Sequence, residues 1–218
     1  MRPRRAALVR RHAALAAALL AVSFAACEHR IEEPLPPVRG GAGDRAAAAP
    51  EADPSTAGPG EARRCIRPTP ATPARKLARP GPDPACPKDP TGIPALRSGK
   101  VIFLEAKAPD VLVEIVEREQ DRARGLMYRK SMPESHGMLF VFQERENHTF
   151  WMRNTCIPLD MLFLDSDGTI VGIEENTPTM NDSTFEVGCP STYVLEVNAG
   201  WTRRHGVVAG QKVKLEGI

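Results

Sequence analysis

The 218-residue chain has no acidic residue before Glu28 and no apolar run long enough to cross a bilayer as a helix. A spanning helix needs roughly 20 apolar residues. The longest greasy stretch, residues 13–24, falls well short of that. Aromatic residues make up 5% of the chain, and large apolar side chains are scarce between residues 28 and 97. There is no Gly-rich phosphate loop, no Gly-x-Ser-x-Gly and no His-Glu-x-x-His. Those absences weigh against P-loop, serine-hydrolase and zinc-protease chemistry. A basic stripe is missing too, so nothing would release counterions from nucleic acid, and a nucleic-acid partner is not expected.

What the N-terminus does contain is an export signal. Arg2, Arg4, Arg5, Arg10 and Arg11 precede the apolar run Ala13 to Phe24. The run ends in Phe24-Ala25-Ala26-Cys27, which reads as a lipobox. Cleavage before Cys27 and acylation of its thiol, with palmitate among the chains, would leave an envelope lipoprotein. Such a protein faces the periplasm from the inner or outer membrane. The competing reading is an ordinary signal peptide with a chance cysteine. The expected organisation is a signal over residues 1–26, a lipid-anchored Pro/Ala-rich linker over 27–97 and a folded domain over 98–218. Removing the signal leaves 24 basic and 27 acidic residues, a net charge of −3 with neutral histidines.

Fifteen of the 21 prolines lie between residues 28 and 97, mixed with Ala, Gly and Arg. Such a segment buries too little surface to offset its ordering entropy, and it reads as a spacer. Export places Cys65, Cys86, Cys156 and Cys189 in oxidising surroundings, where four thiols allow three pairings. Composition suggests Cys65–Cys86 within the linker and Cys156–Cys189 within the domain. A free, catalytic Cys156 is the sharper alternative, but no base stands beside it.

From residue 99 onward short apolar runs alternate with turns. Strands are expected at 101–104, 111–116, 138–142, 148–152, 159–164, 169–174 and 193–197, with a last short pair at 207–208 and 213–215. The charge-rich stretch 118–128 carries Ala123, Leu126 and Met127 at helical spacing, with Gly125 as an unfavourable interior residue. Asp165-Ser166-Asp167-Gly168 is a hairpin turn, and residues 176–190 read as a polar loop. This pattern gives an α+β fold, mainly antiparallel β with one short helix, and enough strands to curl into a small β-barrel.

Four motifs stand out: Arg124-Gly125-Leu126-Met127-Tyr128-Arg129, Gly137 to Phe142, Phe150 to Asp160, and Tyr193 to Gly200. Together they resemble the DUF192 family, a bacterial and archaeal domain family of unassigned function. The resemblance covers about residues 99–216 and implies a domain without an activity.

Asp160 is the one polar residue in an apolar strand, so it must sit at a rim or be paired. Arg124 and Arg153, both in motifs the resemblance marks, are the expected partners. Adjacent strand residues point to opposite faces, so one of Phe150 and Trp151 should leave the core. Arg124, Trp151, Arg153, Asn154 and Asp160 are therefore the expected ligand-binding set; an ion pair that fixes two loops is the structural alternative. The leading expectation is a monomeric binding module for a polar envelope ligand, a glycan or an envelope protein, with no cofactor. An enzyme using Asp160 as acid or base, with Arg124 or Arg153 holding an anion, is the second. Copper handling by the methionines is the third, since six of the seven lie between Met127 and Met180. Core filling explains those methionines more simply. Asp165 and Asp167 begin like a calcium loop, but the glycine comes too early. Glu174-Glu175 reads as a solvated edge, and Arg203-Arg204-His205 as a solvated loop or an anion site.

Overall fold

Residues 159–164, Leu-Asp-Met-Leu-Phe-Leu, form a strand whose six residues are all buried. A strand covered on both faces belongs in the middle of a layered fold. The computed structural model describes residues 64–79 and 81–218. The expected export signal, Cys27 and the expected linker up to residue 63 lie outside the described residues. In chain order the elements are β1 (Arg97–Phe103), β2 (Val111–Val116), α1 (Glu119–Arg124), β3 (His136–Glu146) and β4 (Phe150–Met152). They continue with β5 (Leu159–Leu164), β6 (Ile170–Thr177), β7 (Asn181–Phe185), β8 (Ser191–Asn198), α2 (Trp201–Arg204) and β9 (Val213–Glu216).

Seven strands form one sheet in the order β6-β5-β8-β3-β2-β1-β9, and β4 and β7 pair separately. All pairs are antiparallel except β2 with β3. That parallel pair needs a crossover, and α1 lies on it. The two ends of the sheet approach each other. Ile170 N–H donates to Gln211 O at 2.8 Å, and Val213 N–H donates to Gly168 O at 2.9 Å. The result is the curled, half-barrel α+β fold that the strand pattern predicts. Inside the curl lie Val101, Val111, Leu139, Leu162, Ile170, Leu195 and Trp201. On the outer face Met138, Phe140, Met161, Phe163 and Val194 form a second core with residues of β4 and β7.

Several boundaries differ from the sequence reading. Helix α1 is shorter than 118–128 because Gly125, at φ 48°, ends it and donates its N–H to Asp121 O at 2.8 Å. Strand β7 arises inside the expected loop, from Asn181-Asp182-Ser183-Thr184-Phe185, a run of turn-forming residues that pairs with β4 through Phe185. Residues 207–208 form no strand, whereas 201–204 form α2, with Trp201 fully buried.

The cysteine pairing is the crossed one. The bonds are Cys65–Cys189 and Cys86–Cys156, not Cys65–Cys86 and Cys156–Cys189. Each therefore joins the Pro-rich segment to the domain. The described part of that segment, 64–96, is accordingly a strap laid on the sheet and not a free spacer. Arg67 N–H donates to Val171 O on β6 at 2.8 Å, and Asp83 N–H donates to Cys156 O at 2.7 Å. Arg67 and Arg75 both reach Glu174, and Arg124 reaches Asp89. Polar contacts hold the strap, so its poverty in large apolar residues gave no hint of docking.

Candidate functional site

Asp160 lies on β5 opposite Val197 of β8, with no surface exposed to solvent. Its Oδ1 accepts the N–H groups of Asn176 at 2.9 Å and Gly200 at 3.1 Å. Its Oδ2 accepts the Thr202 N–H at 3.1 Å and the Thr202 hydroxyl at 2.7 Å. Burial pushes the carboxyl above its ordinary range, and those four donors pull it back toward the ionised form. The side chain thus ties β6 and the start of α2 to β5. It hydrogen-bonds neither Arg124 nor Arg153, and none of its surface meets solvent. In this structure Asp160 is a buried clamp that stands apart from the two arginines.

The remaining four residues gather on another side of the sheet. Phe150 turns inward, its ring centroid 4.9 Å from that of Phe140. Trp151 turns out and is 43% exposed. The Arg153 guanidinium lies over the indole at 4.3 Å and donates to Asp182 on β7 at 2.8 Å. Asn154 and Tyr128 both adopt positive φ, which costs a non-glycine residue energy, and they hold each other. Tyr128 N–H donates to Asn154 O at 2.8 Å, and Asn154 Nδ2 donates to the Tyr128 hydroxyl at 3.1 Å. This pair joins the Arg124–Arg129 motif to the Phe150–Asp160 motif. Arg124 lies across the Tyr128 ring and donates to both carboxylate oxygens of Asp89, at 2.9 and 2.8 Å, and to Thr91 at 2.6 Å.

Between α1, β3 and β4 lies a pocket of about 360 Å³, near the lower end of the roughly 300–1,000 Å³ found for small-molecule sites. Phe140, Phe142, Phe150 and Trp151 form its walls, and Arg122 and Arg124 stand at its rim. Its floor is Glu196 on β8. The register sets Glu196 between Met138 of β3 and Met161 of β5, on the outer face of the sheet. The residue is largely buried, its carboxyl opens on the pocket, and it receives no hydrogen bond from any described residue. Desolvation alone pushes it up to about 8, so at neutral pH it is mostly a neutral acid. His148 also lines the pocket, stacked on Phe142 with centroids 3.6 Å apart. Its Nε2 has no hydrogen-bond partner, and burial holds the imidazole below its ordinary range and so neutral. Glu196 was missed in the sequence reading. The signal was there: it is the one carboxylate in Tyr193-Val194-Leu195-Glu196-Val197, by the same logic that picked out Asp160.

Other groups resolve as structure. Met138, Met152 and Met161 are buried among leucines and phenylalanines, and Met152 Sδ accepts the Thr177 hydroxyl at 3.5 Å. Glu174 and Glu175 are buried and paired, not solvated, the first with Arg67 and Arg75, the second with Arg203. Arg203 also donates to the strap carbonyls of Pro70 and Ala71, and Arg204 pairs with Glu134. Asp165 to Gly168 is a turn, closed by Gly168 N–H to Asp165 O at 2.9 Å.

Among solved structures, a protein from Sinorhizobium meliloti 1021, provisionally described as a transcription regulator, is 40% identical with a TM-score of 0.54. The match covers 57% of this chain and 98% of that one. A protein of unknown function from Novosphingobium aromaticivorans DSM 12444 is 28% identical, with a TM-score of 0.49 and coverage of 57% and 94%. No curated protein matches the chain. The model of the DUF192 family, described as "Uncharacterized ACR", matches residues 102–215. With half of the chain inside that match, and all four motifs built into the half-barrel, this protein belongs to the DUF192 family.

Proposed function

We propose that the domain is a small-molecule binding module and that the Glu196 pocket is its site. The observation that carries this reading is the Glu196 carboxyl, buried at the floor of a cavity with no protein donor. A carboxyl that opens on a cavity and receives no hydrogen bond from the protein can take its partner from a ligand. Aromatic walls add contact area for an apolar body. Of the residues expected from sequence, Arg124 and Trp151 belong to this site, and Arg153 and Asn154 support it from behind Trp151 and Tyr128. The occupant is then less polar than a glycan. Ligand-observed NMR with a fragment library tests the reading, using the protein and an Ala123→Phe variant that crowds the pocket mouth. Fragments that bind the protein and not the variant support it. Absence of any hit, or equal binding to both, overturns it.

The location we propose is the cell envelope, with a lipid on Cys27 holding the chain to a membrane. The lipobox at the end of an export signal supports this, as do two disulfides within the described residues. Metabolic labelling with a palmitate analogue should mark the protein and fail on Cys27→Ser; equal labelling of both would contradict the anchor.

A further inference from the structure

We propose that the pocket's ligand is a small organic cation, whose ammonium group sits against the Glu196 carboxylate between the aromatic rings. The inference rests on the pocket being a ligand site and names the chemistry of its occupant.

Three features support a positive charge. The first is the floor. A neutral ligand could offer Glu196 one hydrogen bond, and an anion would gain no ion pair from an acid that keeps its proton. A cation converts an isolated buried acid into an ion pair, the arrangement that makes a buried charge tolerable. The second is the wall. Phe140, Phe142, Phe150 and Trp151 line one cavity, and aromatic faces attract cations through their quadrupoles; cages of such rings recognise quaternary ammonium groups.

The third is the state of the other charged groups that face the pocket. On the helix side these are Glu119, Arg122 and Arg124; from the stretch before β4 comes His148. Arg124 is spent on Asp89, Thr91 and the Gly92 carbonyl. Arg122 donates to the Glu117 and Val141 carbonyls and lies over the Phe142 ring at 5.1 Å. Glu119 offsets one of the two arginines. His148 is held neutral by its burial and adds no positive charge. The neighbours of Glu196 on β3 and β5 are Met138 and Met161, which do not titrate.

The proton balance follows. In the free protein at pH 7 Glu196 holds its proton, because its carboxyl is pushed up to about 8. A bound ammonium replaces that proton as the partner of the carboxylate, and the proton leaves to solvent. No bond of the ligand is made or broken. Affinity therefore rises about ninefold from pH 6 to 7 and about fivefold from pH 7 to 8, and then levels.

The test is calorimetry on the purified full-length protein with both disulfides formed. The probes are choline, benzyltrimethylammonium, the neutral isostere 3,3-dimethylbutan-1-ol and butyrate. Titrations at pH 7 in two buffers of different ionisation enthalpy count the protons. The expected result is binding of at least one of the two cations, with release of close to one proton, and at least tenfold weaker binding of the alcohol and of butyrate. Glu196→Gln, close in shape and unable to ionise, should lower cation affinity at least tenfold and abolish the proton release. Equal or tighter binding of the alcohol, tighter binding of butyrate, cation binding without proton release, or no binding of either cation would overturn the inference. The first three of these outcomes leave the pocket standing as a ligand site; an empty fragment screen removes both.

Discussion

Replacing Asp160 with Asn tests whether this carboxylate is a clamp or part of a site. The substitution keeps the size of the side chain but leaves one acceptor oxygen where there were two. Asn176 and Gly200 donate to one position, and Thr202 donates twice to the other. Whichever way the amide turns, its NH₂ faces two donors. The milder arrangement turns the NH₂ toward Thr202, whose hydroxyl can rotate to accept, and it still strands the Thr202 N–H. Losing a charge-assisted bond costs about 1.5–3 kcal/mol and an orphaned buried N–H about 1–3 kcal/mol, so the variant should lose roughly 3–5 kcal/mol. For a domain of this size that is a fall in Tm of about 6–20 °C. Differential scanning calorimetry is the assay, with Thr202→Val as the milder companion that removes only the hydroxyl. A fall of less than about 3 °C, together with lost ligand binding, would refute the clamp and restore Asp160 to the site.

Glu196→Gln should do the opposite. The folded carboxyl is pushed up to about 8 from an ordinary value of 4.5, so the folded state binds the extra proton. That contribution is greatest at low pH and is lost as pH rises through 8. Between pH 5 and pH 8 it amounts to roughly 3–4 kcal/mol, and the difference in stability between protein and variant, followed by urea unfolding, should grow by that much in the variant's favour. Breaking Cys65–Cys189 by Cys→Ser changes at both positions should lower Tm by about 8–20 °C, because the bond spans a sequence separation of 124, worth on the order of 4–5 kcal/mol. The same change should loosen the strap and speed tryptic cleavage after Lys76, which is already exposed; unchanged digestion would show that the strap's ion pairs suffice to hold it. At Gly172 a Cβ would sit 2.6 Å from Val187 Cβ, so Gly172→Ala should cost about 1–3 kcal/mol in urea unfolding, by lifting the chain beyond β7 off the sheet.

The alternation of apolar residues identified most strands because a sheet buried on both faces must be built from such runs. It could not place β7, whose Asn181, Asp182, Ser183 and Thr184 look like a loop and pair only because β4 is beside them. The candidate site was half legible. Arg124, Trp151, Arg153 and Asn154 do meet, through the Tyr128–Asn154 pair and the Trp151–Arg153 stack. Asp160 and Glu196 carry the same signal, a lone carboxylate in a greasy strand. What separates them is the supply of donors from residues 176, 200 and 202, which are remote in sequence from residue 160. Asp160 receives four and is sealed; Glu196 receives none from the described residues and faces a cavity. The disulfides misled for a related reason. Composition favoured pairs within the linker and within the domain, whereas the strap's arginines, bound to Glu174 and to the backbone carbonyls of Glu175 on β6 and Glu186 just after β7, carry its cysteines to distant partners.

The most direct measurement is the titration of the Glu196 side-chain carboxyl by carbon-detected NMR, assigned with Glu196→Gln. A buried acid facing an apolar pocket should titrate near 8, and its midpoint should fall when a cationic probe binds. A midpoint near 4.5, unmoved by every probe, would mean that water or a protein donor already satisfies the group, and the binding role assigned to this pocket would be wrong.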